Sequence, residues 1–234
     1  MDYSPETFPD PREYPFPDWV LIGEYYFNAT DIVSFGDELT VPNVLEAYSK
    51  GIFPWHIDGL PLPWFCPEDR AILEFKDIRI NRSLSKAYRN TKFRFTFDTA
   101  FREVMSACAT TKRSQGAGTW ITPEYLEVYT EIHKMGEAHS VEVWDGDELA
   151  GGLYGMDAGG LFCGESMFYR RSNASKLALL FLIDHLRGMG SEWLDIQVMT
   201  PHFKSLGAKE VSREDFLERL GLERSRGIRL FETR

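Results

Sequence analysis

The 234-residue chain is poor in cysteine and in metal-ligand spacings. Its three cysteines, Cys66, Cys108 and Cys163, lie far apart and form no C-x-x-C pair. They read as reduced thiols, which excludes a disulfide framework and a cysteine zinc site. The five histidines, His56, His133, His139, His185 and His202, show neither H-x-x-x-H nor H-E-x-x-H spacing, so no metal is expected. No apolar run approaches the ~20 residues of a membrane-spanning helix, so no membrane partner is expected. The opening residues, Met-Asp-Tyr-Ser-Pro-Glu, hold no basic region followed by an apolar stretch. The expectation is therefore no secretory signal and a cytoplasmic protein. G-x-x-x-x-G-K-[ST] is missing, which argues against phosphoryl transfer from a nucleotide, and so is the G-x-S-x-G nucleophile elbow.

Composition is that of an ordinary globular protein, with 43% hydrophobic, 14% aromatic and 26% charged residues. The net charge of −10 argues at first against a nucleic-acid partner, but its distribution is uneven. Residues 1–49 hold ten acids and one base, Arg12, whereas the remainder is nearly neutral. Within that remainder, residues 76–113 hold ten Lys/Arg against three acids. The bases are Lys76, Arg79, Arg82, Lys86, Arg89, Lys92, Arg94, Arg102, Lys112 and Arg113. Two readings are open: a solvated face, or contacts to several phosphates that a distant acidic segment, screened beyond ~8–10 Å, does not prevent.

Five prolines in residues 1–18 predict an extended surface arm, followed by a short helix over 41–50 with Pro42 near its start. The loop around Pro61, Pro63, Trp64, Phe65 and Pro67 presents rigid aromatic faces that either fill a junction or stack on a base. A strand is expected over 72–75, a helix over 82–88, and a half-buried strand where Phe93, Phe95 and Phe97 alternate with polar residues. Thr122-Pro123-Glu124 opens a helix running to Met135 and ended by Gly136. Strands over 140–144, 148–156 and 161–168 follow, turned at Asp145-Gly146 and Gly159-Gly160. Asn173-Ala-Ser-Lys176 opens a helix closed by Gly188; a strand over 192–199 and a short helix after Ser212 complete the chain. A hairpin set followed by strand–helix–strand predicts an α+β fold with a mixed sheet.

Two segments place acids in apolar company. On Trp193-Leu-Asp-Ile-Gln-Val-Met199, strict alternation assigns Leu194, Ile196 and Val198 to the core face and Asp195 and Gln197 to the other. On Phe162-Cys-Gly-Glu-Ser-Met-Phe168, Glu165 and Ser166 follow Gly164. A carboxylate or amide among apolar residues is costly unless paired or used, so these are either satisfied buried pairs or a polar cluster in an apolar cleft.

These residues bring a family into view. The chain resembles the bacterial leucyl/phenylalanyl-tRNA–protein transferases of the N-degron pathway. The resemblance rests on Gly51-Ile-Phe-Pro-Trp55, Gly118-Thr-Trp-Ile121, His139-Ser-Val-Glu-Val-Trp144, Gly151-Gly-Leu-Tyr-Gly155, Phe162-Cys-Gly-Glu-Ser-Met-Phe168, Asn173-Ala-Ser-Lys176, Asp195-Ile-Gln197 and Ser205-Leu-Gly-Ala208. Departures are Phe35-Gly36-Asp37-Glu38-Leu39-Thr40 where a Gly-Gly-Asp-Leu-Ser stretch is usual, Cys66-Pro67-Glu68-Asp69-Arg70 for a Ser-Pro-Asp-Pro-Arg-like run, and the acidic residues 1–31.

The resemblance implies a GNAT-like acyl-N-acyltransferase domain over residues 71–234 preceded by a smaller N-terminal domain over 1–70. It implies transfer of Leu, Phe or less readily Met from aminoacyl-tRNA to the N-terminal Arg or Lys of proteins, which are then degraded. It implies no cofactor, because the ester is already activated, and a monomer. Carried over residue by residue, it makes Asp195 and Gln197 the catalytic pair, with Asp195 drawing off the proton through Gln197, and Glu165 the holder of the aminoacyl α-amine. Trp55 and Trp120 fall near the terminal adenosine. Leu153, Met167, Leu179, Leu182 and Leu194 would line the side-chain pocket, beside Ser166, and Arg82, Lys86 and Arg89 would meet the tRNA backbone. The competing readings are an acyl-CoA-dependent N-acyltransferase, disfavoured by the glycine-free turn Tyr169-Arg170-Arg171-Ser172, and a tRNA-binding module without catalysis.

Overall fold

The computed structural model describes residues 7–111 and 119–231. Lys112 and Arg113 of the basic segment, Gly118, and residues 1–6 of the arm lie outside that description. Residues 7–18 form neither helix nor strand, as their prolines dictate, yet the arm is anchored. Phe8 is buried with its ring centroid 4.6 Å from that of Trp64, and the backbone N–H groups of Thr7 and Phe8 donate to the Glu46 carboxylate.

A hairpin of β1 (Trp19–Ile22) and β2 (Tyr25–Asn28) turns at Gly23, whose φ of 62° suits a residue without Cβ. Next come β3 (Ile32–Phe35), α1 (Val41–Ser49), β4 (Phe53–Pro54) and β5 (Pro63–Phe65). The three strands make a small antiparallel sheet in the order β3-β5-β4. Helix α1 begins where expected, with the Thr40 hydroxyl accepting from the Asn43 N–H and Pro42 in the first turn.

The larger body holds β6 (Asp69–Glu74), α2 (Arg82–Arg89), β7 (Arg94–Phe97), α3 (Phe101–Thr110), α4 (Pro123–Lys134), β8 (Ala138–Asp145), β9 (Glu148–Asp157) and β10 (Phe162–Tyr169). It continues with α5 (Ala174–Gly188), β11 (Trp193–Gln197), α6 (Pro201–Ser205), β12 (Lys209–Ser212) and α7 (Arg213–Arg226). Its seven strands lie in the order β12-β6-β11-β10-β9-β8-β7. Every neighbouring pair is antiparallel except β10 and β11, which are parallel and joined by α5. The mixed α/β class read from the sequence is the one observed.

Two apolar layers cover the sheet. Val141, Val143 and Leu153 pack with Leu179, Leu182 and Ile183 of α5 on one face. Ala138, Tyr154 and Met156 pack with Val104 of α3 and Tyr129 of α4 on the other. This second core also takes in Phe8, Val44 and Trp64, so the small sheet and α1 share their apolar interior with the large sheet. The Gly151-Gly-Leu-Tyr-Gly155 run has a packing reason. A Cβ on Gly151 would stand 2.6 Å from the Ala174 Cβ that begins α5, and one on Gly155 would stand 2.3 Å from the Cys163 carbonyl oxygen.

Several boundaries differ from expectation. Strand β6 starts at Asp69 rather than at 72, and Phe75 lies in a 3-10 turn, Phe75–Asp77. Strand β11 ends at Gln197, short of the predicted 199, because Gln197 adopts a left-handed φ of 62° that no strand continues through. Helix α7, expected to be short, runs for 14 residues from the Ser212 cap to Gly227. Helix α3 was absent from the expected elements. Among the described residues, no helix is long and apolar enough to cross a membrane.

Candidate active site

The parallel strands β10 and β11 meet at a single register point, Cys163 opposite Asp195. Immediately beyond it both strands bulge against their outer partners. The β9–β10 register shifts between Gly164 and Ser166, and the β6–β11 register shifts between Asp195 and Gln197. Each bulge inserts one unpaired residue, Glu165 in one strand and Ile196 in the other. The paired bulges end the parallel ladder and leave a cleft in the middle of the sheet.

The bulge also resets the alternation of β11. Gln197 lines the cleft together with Leu194, Ile196 and Val198, whereas Asp195 points away from it. Strict alternation had put Asp195 and Gln197 on one face and Leu194 on the other. The left-handed Gln197 is the physical reason for the difference: turning one residue out of the pleat transfers its side chain across the strand.

Asp195 has no exposed surface, and both its oxygens are committed. Oδ1 accepts from Arg70 Nε at 2.9 Å and Oδ2 from Arg70 Nη2 at 2.6 Å, a bidentate pair. Oδ1 also accepts the backbone N–H of Gln197 at 2.8 Å, which holds that residue in its uncommon conformation. Arg70 is only 2% exposed. Its Nη1 donates to the Gly51 carbonyl at 3.1 Å, and its guanidinium lies between the rings of Phe53 at 4.7 Å and Phe216 at 4.4 Å. Burial lowers the Arg70 pKa, and the Asp195 carboxylate more than reverses that, so the guanidinium stays charged. Gly51, Phe53 and Trp55 thus belong to one construction: the first two hold Arg70 and the third lines the cleft.

Across the cleft, Glu165 Oε1 accepts from Gln197 Nε2 at 2.6 Å and from the Tyr48 hydroxyl of α1. The Tyr48 and Tyr129 hydroxyl oxygens are 3.2 Å apart. Both bonds fall on Oε1, which leaves Oε2 without a hydrogen-bond partner among the described residues. Burial lifts the Glu165 carboxyl to about 7 against the lowering effect of these two donors. Burial and the adjacent Asp195 push the Cys163 thiol well up, so it is neutral and no nucleophile.

The cleft is a cavity of about 530 Å³. It gathers every apolar and aromatic residue expected there: Leu153, Met167, Leu179, Leu182 and Leu194 on its walls, Ser166 beside Glu165, and both Trp55 and Trp120. The two indoles lie 4.9 Å apart at 44°. Glu165 and Gln197 line the same space, and Asp195 does not. Among the described residues, no cluster of His, Cys, Asp and Glu could hold a metal ion.

The basic segment divides. Arg82, Lys86 and Arg89 are exposed on α2 and make no ion pair among the described residues. Lys76 is bound to Glu74 at 2.7 Å, Arg102 to Glu127 at 2.6 Å, and Arg94 lies 5.2 Å from the Trp144 ring. The cations of residues 76–111 therefore do not act as one patch.

Sequence reasoning missed Arg70, Tyr48 and Tyr129. The signal for Arg70 was an arginine opening the apolar run Ala71-Ile-Leu73, since a buried cation of this kind requires a buried acid. The tyrosines sit among helical core positions and carried no separate signal.

Comparison with known proteins follows the same outline. The family described as leucyl/phenylalanyl-tRNA protein transferase matches residues 72–221, and that family's N-terminal domain matches residues 37–68. The chain is 47% identical over 189 residues to the leucyl/phenylalanyl-tRNA–protein transferase of Pseudoalteromonas atlantica, covering 81% of this chain and 80% of the relative. The protein of the same name from Sulfurimonas denitrificans is 49% identical over 81% of this chain and 82% of the relative. That from Desulfatibacillum aliphaticivorans is 46% identical over 82% of each.

The Arg70–Asp195 geometry sets an expectation for stability. Arg70→Met and Asp195→Leu each strand a buried charge and lower the unfolding free energy by ~3–5 kcal/mol. The double variant, with no charge to strand, loses far less than the sum. Urea unfolding of the four proteins measures this, and additive losses would contradict it.

Proposed function

Because the chain belongs to the leucyl/phenylalanyl-tRNA–protein transferase family, we propose that it transfers Leu, Phe or less readily Met from aminoacyl-tRNA to the N-terminal Arg or Lys of acceptor proteins, marking them for degradation. The observation that carries the reading is a single apolar cavity with an acid–amide pair, Glu165 and Gln197, and two tryptophans on its wall. An aminoacyl-adenosine end presents the matching chemistry: an apolar side chain, an α-amine, an ester and a purine.

In this reading Leu153, Met167, Leu179, Leu182 and Leu194 receive the aminoacyl side chain. They carry no charge, so branched and aromatic apolar side chains are accepted and charged ones excluded. Trp55 and Trp120 meet the terminal adenine. Glu165 Oε2, the oxygen without a hydrogen-bond partner among the described residues, takes the aminoacyl α-amine. Gln197, fixed through Nε2 to Glu165, presents its side-chain carbonyl to an N–H of the attacking acceptor amine. Attack forms the peptide C–N bond and breaks the ester C–O bond, and the proton shed by the amine ends on the departing ribose hydroxyl. The ester is already activated, so neither ATP nor a metal is required.

Asp195 acts here as a positioning residue: its carboxylate holds Gln197 by the backbone and is neutralised by Arg70. Arg82, Lys86 and Arg89 take up the tRNA backbone from the exposed face of α2. Residues 1–70 form the N-terminal domain that supplies Trp55, residues 71–234 form the GNAT-like catalytic domain, and the protein is a cytoplasmic monomer.

Transfer of labelled Phe or Leu from charged tRNA tests the reading. Without ATP, label moves to substrates beginning with Arg or Lys and not to those beginning with Asp or Glu. No transfer of either amino acid by the folded protein, or transfer only from acyl-CoA, overturns it. The Glu165 carboxyl gives a second expectation. Being neutral below about 7 and anionic above it, Glu165 tightens donor binding as pH rises through about 7. Glu165→Gln abolishes that rise and weakens aminoacyl-adenosine binding about tenfold, the scale of one charge-assisted hydrogen bond. An unchanged pH profile in the variant would contradict the assignment.

A further inference from the structure

A second cavity, of about 300 Å³, opens beside the first and shares two wall residues with it, Lys176 at the start of α5 and His202 of α6. Arg79 and Asn81, from the segment between β6 and α2, line only the second cavity. No acid lines it, and neither Arg79 nor Lys176 has an ion-pair partner among the described residues. Asn81 spends its side-chain oxygen on the Leu84 N–H at 2.8 Å, capping α2, which leaves its amide nitrogen as a donor. The His202 Nε2 is buried and has no hydrogen-bond partner among the described residues. Burial and Lys176 hold the His202 pKa down, so the ring is neutral at pH 7. The first turn of α2, whose exposed face carries Arg82, Lys86 and Arg89, begins at this cavity.

We propose that this second cavity is a phosphodiester subsite, in which Arg79 and Lys176 bind the phosphate linking the terminal and penultimate nucleotides of the donor. The inference rests on the function proposed above and adds the route between the ester and the rest of the nucleic acid. Two cations without carboxylates, an amide donor and a buried unsatisfied imidazole nitrogen make up an anion-selective lining. Its continuity with the aminoacyl cavity through Lys176 and His202 restricts the anion to one carried by the donor itself. A single bridging phosphate fits where a free carboxylate on the acceptor would be misplaced, because the cavity leads toward the basic face of α2.

The test compares two minimal donors, a 3′-phenylalanyl adenosine and the 3′-phenylalanyl dinucleotide cytidylyl-adenosine, which differ by one nucleotide and one phosphodiester. The dinucleotide is expected to bind about tenfold or more tightly. Its log–log salt dependence is expected to be steeper by ~0.7, the value for one phosphate of a single strand. Arg79→Ala, which lies outside the aminoacyl cavity, removes most of that gain and the added salt slope while leaving mononucleoside binding unchanged. Lys176→Ala removes the gain too. Coenzyme A, whose diphosphate has no aminoacyl-adenosine attached, does not compete. Equal binding of the two donors, or a gain that survives in both variants, overturns the subsite. Failure of both donors to bind the wild-type protein overturns the parent reading instead.

Discussion

Everything in the centre of this molecule depends on one buried ion pair. Arg70 and Asp195 are 125 residues apart in sequence and join two neighbouring strands, β6 and β11, at the level where the parallel ladder ends. A buried guanidinium and carboxylate are costly to desolvate, and further contacts on both partners offset part of that cost. Arg70 reaches the Gly51 carbonyl and two aromatic faces, and Asp195 reaches the Gln197 backbone. The pair therefore locks together the small N-terminal sheet, the large sheet and α7, which provides Phe216. It also stabilises a left-handed glutamine that would otherwise relax into the strand.

The site's polar chemistry is built on that foundation but kept apart from it. One acid, Asp195, is paired, buried and structural in its contacts. The other, Glu165, faces an apolar cavity, is held by a tyrosine and an amide, and is lifted to about 7. Two carboxylates within a few residues of the same register point thus have different surroundings: Asp195 is ion-paired to Arg70, whereas burial against the apolar cavity raises the Glu165 carboxyl despite its two donors. The paired bulges make this separation possible, because they turn Glu165 and Gln197 toward each other while Asp195 turns away.

Local features were readable in advance wherever the determining interactions are local. The Thr122-Pro123 and Ser212-x-x-Asp215 starts, the alternation of Phe93, Phe95 and Phe97, and the Asp145-Gly146 turn all depend on neighbours within a few residues. Helix α3 was legible as well: Phe101, Val104, Met105 and Cys108 follow the helical i, i+3, i+4, i+7 spacing, yet it was not among the expected elements. The cavity-lining residues entered through a family resemblance, and the structure brings them into one space. The alternation of β11 could not be read, because a bulge is decided by pairing with β6 and β10 rather than by β11 itself. The Arg70–Asp195 contact lay beyond reach for the same reason: nothing between residues 70 and 195 announces that the two strands become neighbours.

In the proposed mechanism Asp195 positions Gln197 and does not accept a proton. Replacing the ion pair with neutral amides, Arg70→Gln together with Asp195→Asn, keeps an oxygen for the Gln197 N–H while removing the carboxylate at position 195. Single-turnover transfer of Phe to an N-terminal Arg peptide by this double variant, on protein shown to be folded by its thermal transition, decides the matter. The expected rate is within about tenfold of wild type; a fall of ~10²–10⁴-fold, the usual worth of a general base, would instead make Asp195 a proton acceptor.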